Sequence, residues 1–143
     1  MKWSELAEDP CPAARGMAVI GDRWTLLILR DCFSGVRRYE EFQRRLGITR
    51  HVLAERLRRL EAEGVLRRER YQERPARDEY RLTEKGRALF PVLAALMDWA
   101  DRFAPVEGGM RLVDAESGEA MQVRLVDKAG DDVSPRSVRV ARA

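Results

Sequence analysis

Apolar residues recur along the first half of this chain at helical spacing. Over Arg23–Phe33, Trp24, Leu27 and Ile28 mark one face and Leu26 and Leu29 another, which predicts a helix buried on several sides. Gly21 interrupts the chain before it, and Asp22 stands at the N-cap position. Further upstream, Cys11-Pro12 opens a short helical turn through Ala13, Ala14 and Met17, and residues 1–10 read as a frayed arm. Ser34-Gly35 ends the buried helix. Tyr39, Phe42 and Leu46 then predict a short helix, and Leu53, Leu57 and Leu60, with Val52 beside them, predict a second one over residues 50–63. Gly47 supplies the turn between them, Thr49 the N-cap and Gly64 the C-terminal stop.

After Gly64 the period shortens. Val65-Leu66 leads into RRERY, and EYRL returns with Tyr80 and Leu82 on one strand face. The polar, proline-containing QERPARD between them suits a hairpin tip. Thr83 is expected to cap one long helix running to about Arg102, with Leu89, Leu93, Leu96, Met97 and Ala100 as its stripe. Past Pro105, MRLVD, MQVRLVD and SVRVARA alternate apolar and charged residues around the turn signals ESGE and KAGDD, which suggests a small hairpin or three-stranded appendage. The expected fold is α+β, mainly α: a winged helix-turn-helix domain with a long C-terminal helix and a small β-rich tail. The expected divisions are an arm at 1–10, the winged helix-turn-helix domain at 11–109 and a β-hairpin-like extension at 110–143.

Charge sharpens the picture through its distribution. The net +3 of the 143 residues hides a segment from Arg37 to Arg81 with fourteen arginines, no lysine and nine acids, a local +5 against −2 elsewhere. The planar guanidinium fork suits phosphate oxygens and guanine edges, although a salt-bridged helical face would also be rich in Arg and Glu. Two cysteines, Cys11 and Cys32, and the single His51 cannot complete a structural zinc site, which needs about four N or S ligands. No metal or other cofactor is expected. No apolar run approaches the roughly 20 residues that span a bilayer, and MKWSELAEDP lacks the apolar core of a secretory leader, so a cytoplasmic protein without membrane partners is expected.

The helix, glycine-containing turn and helix from Tyr39 to Gly64 have helix-turn-helix dimensions. In such motifs the start of the second helix meets base edges while flanking residues hold phosphates. Thr49, Arg50, His51, Glu55 and Arg58 are therefore the candidate reading residues, and Arg37 and Arg38 the flanking ones. Arg74 and Arg77 at the hairpin tip suit a wing on the minor groove or the backbone. An enzyme reading has no support: GxSxG, P-loop and dinucleotide fingerprints are all absent. The remaining alternative is a winged-helix protein-interaction module that does not bind DNA.

Several blocks in order, IGDRWTLLILRD, LGIT followed by LAERLRRLEAEGVL, and YRLTEKG, resemble the HxlR-type winged helix-turn-helix regulators, with similarity running from about Cys11 to Phe103. The resemblance implies a transcriptional regulator acting as a homodimer built from its terminal helices, with double-stranded DNA bearing a palindromic operator as partner. The recognition helix would lie at about 50–63 and the wing at about 67–81. Some relatives sense oxidants or electrophiles through a cysteine near the domain start, where this chain has Cys11; Arg15 one turn on could favour its thiolate, and an inert packed thiol is the alternative. Cys32 reads as a small core hydrophobe. A small-molecule or oxidant effector is the expected input. Leu89, Phe90, Leu93, Leu96, Met97, Trp99 and Phe103 carry more apolar surface than one small domain covers, and they form the expected dimer interface unless the tail packs over them.

Overall fold

The structure, a computed structural model, describes residues 2–141; Met1 of the expected arm and Arg142 and Ala143 of the expected last strand lie outside the described residues. The chain divides between Phe90 and Pro91 into two compact units.

In the first unit a 3-10 helix, Trp3–Glu8, replaces the expected frayed arm and precedes α1 (Pro12–Ile20), α2 (Arg23–Phe33), α3 (Tyr39–Leu46) and α4 (Arg50–Ala62). Local chemistry sets these boundaries. The Asp22 carboxylate accepts the Trp24 and Thr25 N–H groups at 3.0 and 3.1 Å, and the Thr49 hydroxyl accepts Val52 N–H at 3.4 Å. Gly47 ends α3 at φ 61°, a left-handed conformation that costs a side-chain-bearing residue about 1–2 kcal/mol. The expected inward positions are inward: Ile28, Leu29, Phe42, Leu53, Leu57 and Leu60 are fully buried, with Val36, Ile48, Val65 and Leu66 completing the cluster. Trp24 and Tyr39 pack against it part-buried.

The hairpin pairs β1 (Leu66–Gln72) with β2 (Arg77–Leu82) antiparallel, Leu66 opposite Leu82 and Arg68 opposite Tyr80, with an irregularity at Tyr71. On the outer edge of β2, Tyr80 N–H donates to the Arg37 carbonyl at 2.8 Å, which fastens the hairpin to the α2–α3 connection. Thr83 caps a helix as expected, its hydroxyl accepting Gly86 N–H at 3.1 Å. A side chain at Gly86 would collide with the Val65 carbonyl, so glycine lets this turn seat on the start of the hairpin.

The expected single helix from Thr83 to Arg102 is two: α5 (Glu84–Arg87) and α6 (Phe90–Phe103). Pro91 gives the reason, since its ring denies Arg87 a helical hydrogen-bond donor and crowds that carbonyl. In the second unit, Leu93 and Ala94 of α6 are buried while Val92, Leu96, Trp99 and Phe103 are exposed. Among the described residues, the β character of the tail is confined to two isolated bridges, Val113 with Ala120 and Val126 with Asp132. Both surround the predicted turns: Asp114 Oδ1 accepts N–H groups of Glu116 and Ser117, Asp127 Oδ1 those of Ala129 and Asp131. The alternating residues Met121, Val123, Leu125 and Val126 stay exposed, and pairing without a buried face does not propagate into strands.

Candidate nucleic-acid interface

The helix-turn-helix elbow is held by a bond across it. Tyr39 at the start of α3 donates its phenol to the Arg50 carbonyl at 2.7 Å, and Phe42 of α3 and Leu53 of α4 belong to one core cluster. This leaves Thr49, Arg50, His51, Glu55 and Arg58 exposed on α4 and its N-cap. The Thr49 hydroxyl is occupied as an acceptor by its own helix, and the Glu55 carboxylate pairs with Arg56 at 3.0 Å.

Ion pairing divides the fourteen arginines of the basic segment into two groups. Arg45 bonds the fully buried Asp31 at 3.3 Å, joining α3 to α2 alongside Arg30. Arg56 donates to Asp22 at 3.0 Å, so the cap of α2 also holds α4. Arg59 donates to the Ala18 carbonyl, tying α4 to α1. Arg67 pairs with Glu69, Arg68 with Glu61, Arg70 with Asp78, and Arg81 with both Glu69 and Glu79. The others, Arg37, Arg38, Arg44, Arg50, Arg58, Arg74 and Arg77, have no carboxylate partner among the described residues. A free guanidinium can meet a phosphate without first breaking an internal ion pair.

Six of those free arginines are candidates from the sequence; Arg44 is the one it missed. With Arg38 and Arg77 it lines a cavity of about 610 Å³ between α3 and the wing, and the Arg38 guanidinium lies 4.8 Å over the Tyr71 ring. Arg74 and Arg77 are exposed at the hairpin tip, and Arg37 is exposed before α3. Asp31, Asp22 and Arg56 were also missed as anchors, because nothing local in the sequence marks a carboxylate that will be buried.

Of the proposed interface residues, Phe90, Leu96, Trp99 and Phe103 are exposed, and Val92 joins them; Met97 is part-buried and Leu93 buried. Leu89 packs on the core, and the Phe90 ring sits edge-on to Phe33 at 5.0 Å.

Cys11 is exposed at the N-cap of α1, not packed. The Arg15 guanidinium turns to the Asp9 and Pro10 carbonyls, at 2.8 and 2.9 Å, and the Cys11 N–H donates to the Asp9 carboxylate at 2.7 Å. Those two bonds tie the Arg15 guanidinium to the backbone just before α1. Cys32 packs against the core, and burial, reinforced by Asp31, pushes its thiol up to about 12.

A winged helix-turn-helix with a free cationic face is shared by many regulators, and similarity narrows the choice. The model of the HxlR-like helix-turn-helix family matches residues 19–107. The chain belongs to that family. An uncharacterized HTH-type transcriptional regulator of Mycobacterium tuberculosis is 42% identical to this HxlR-like chain over 127 residues, covering 87% of it and 80% of the relative. The crystal structure of PA1607, a candidate transcription factor, superposes with a TM-score of 0.88 at 40% identity, over 98% of this chain and 99% of that one. The redox regulator HypR in its oxidized form matches with a TM-score of 0.62 at 36% identity, over 67% of this chain and all of its own. The family is one of helix-turn-helix proteins, and the mycobacterial relative is an HTH-type transcriptional regulator. Among the described residues no helix is long and apolar enough to cross a membrane.

Proposed function

We propose that this HxlR-like protein is a sequence-specific regulator that binds a palindromic operator as a homodimer. The N-terminal half of α4 enters the major groove, with Arg50, His51 and Arg58 toward base edges. Arg37, Arg38 and Arg44 hold phosphates beside it, and Arg74 and Arg77 of the wing reach the minor groove or backbone. Thr49 and Glu55 play smaller parts, since their polar atoms already have partners in the protein. The observation that carries this reading is the division of the fourteen arginines from Arg37 to Arg81: those on the proposed face lack carboxylate partners among the described residues, and the others bond carboxylates or, for Arg59, a backbone carbonyl.

The homodimer rests on α6, where Val92, Leu96, Trp99 and Phe103 recur at helical spacing on one exposed face. A two-fold dimer places two copies of α4 on half-sites about one helical turn of DNA apart. An input at Cys11 belongs to the same reading, supported by the exposure of the thiol and by a redox regulator among the neighbours.

Selection of binding sites from randomised duplex DNA with the full-length protein tests the proposal. Enrichment of inverted half-sites about 10 base pairs apart, with affinity falling as salt rises, is the expected result. No enrichment together with salt-independent or absent DNA binding overturns it, and favours the protein-interaction module instead.

A further inference from the structure

A cavity of about 320 Å³ opens at the base of the wing, between the outer edge of β2 and the end of α2. Arg37, Arg67, Arg81 and Arg87 line it, Phe33 and Leu82 supply apolar wall, and no Asp or Glu is among its described lining residues. Arg67 and Arg81 are neutralised by Glu69 and Glu79 alongside. The Arg87 guanidinium donates to the Leu82 carbonyl at 3.0 Å, and neither Arg87 nor Arg37 has a carboxylate partner among the described residues. Two positive charges thus border the cavity uncompensated. Other cavities with cations in their walls also carry acids, Glu40 and Glu41 beside α3 and Glu63 beside α1. The volume suits a small molecule, and a guanidinium fork matches the paired oxygens of a carboxylate or phosphate.

We propose that this cavity binds a small organic oxyanion, a carboxylate or phosphate ester carried on one apolar ring, and that its occupancy lowers operator affinity. The second half rests on the DNA-binding reading above; the first does not. Leu82 lies five residues from Arg77, about 16 Å along a strand, so the ligand itself stays clear of the wing tip. It acts instead through Arg37, whose guanidinium it draws from the phosphates and whose carbonyl fastens β2 to the α2–α3 connection.

The test titrates full-length protein, without DNA, with benzoate and with phenyl phosphate by calorimetry, against inorganic phosphate and chloride. Saturable binding of a ring-bearing anion is expected, weaker for inorganic phosphate and at least tenfold weaker in Arg87→Gln and in Arg37→Gln. Arg87→Gln should keep the melting temperature and ligand-free duplex affinity of wild type. The bound anion should weaken duplex binding in wild type and leave Arg87→Gln unaffected. Absence of saturable binding in the millimolar range, or undiminished binding in both variants, overturns the site. If Arg87→Gln by itself weakens duplex binding and flattens its salt dependence, these arginines hold DNA phosphates and the small-anion assignment falls. Binding without any effect on duplex affinity overturns the regulatory half alone.

Discussion

Arg56 and Arg58 stand two residues apart on α4, and replacing each by alanine should produce opposite results. Arg56 donates to Asp22 at 3.0 Å with both side chains about one-fifth exposed. A charge-assisted hydrogen bond of this kind contributes roughly 1.5–3 kcal/mol, and partial solvent screening places it at the lower end, about 1.5 kcal/mol. Arg56→Ala should therefore lower stability by about that amount and the melting temperature by about 4–8 °C. Arg58 is exposed and has no carboxylate partner among the described residues, so Arg58→Ala should stay within about 0.5 kcal/mol of wild type. Its loss should appear in operator affinity, by about 1–3 kcal/mol for a base contact. Urea unfolding followed by far-UV circular dichroism measures the first quantity. Fluorescence anisotropy on a selected operator, at a temperature where both variants are folded, measures the second. Asp22→Asn separates the two duties of that carboxylate, because asparagine caps a helix about as well as aspartate but carries no charge. It should match Arg56→Ala in stability, while Asp22→Ala should cost about a further 1 kcal/mol through the lost cap. Equal destabilisation by Arg56→Ala and Arg58→Ala, or a stable Arg56→Ala that has lost operator affinity, would refute the division of arginines by ion pairing.

Arg74→Ala and Arg77→Ala should weaken binding to all duplexes alike and reduce the log–log salt slope by about one each; an unchanged slope in the double variant removes the wing tip from the interface. Trp99→Glu with Phe103→Glu should yield folded monomers in sedimentation velocity, and a dimer that survives both changes places the interface elsewhere. Cys11→Ser should bind the operator but ignore mild oxidant that releases wild type, whereas Cys32→Ser, lacking a thiol already held at about 12, should respond as wild type does; equal behaviour of wild type and Cys11→Ser ends the redox reading. Burial pushes the Asp22 carboxyl up, but hydrogen bonds from Thr25 and the Arg56 guanidinium outweigh it and hold it below its ordinary 3.8. A lowered folded pKa gives stability that is present above that value and lost as pH falls through the folded one, so stability measured below about pH 4 should drop less steeply in Asp22→Asn than in wild type.

What could be read from the chain alone was what short segments decide for themselves. Caps at Asp22, Thr49 and Thr83, the left-handed turn at Gly47, and apolar spacing in α2, α3 and α4 depend on neighbours within about one helical turn, and each stands in the structure as read. Order and motif carried the family. The break between α5 and α6 was within reach too, since Pro91 marks it, but an unbroken apolar stripe hid the proline. Only the tertiary structure decided which arginines are free. Arg45 and Asp31 are 14 residues apart, Arg56 and Asp22 34, and Arg59 and Ala18 41, so a local balance of +5 cannot say which charges are spent. The same holds for the cavity at the wing base, whose walls come from α2, the α2–α3 connection, both strands and α5. Helices and turns form from local bonds along the chain, whereas ion pairing and cavities follow from which surfaces the core brings together.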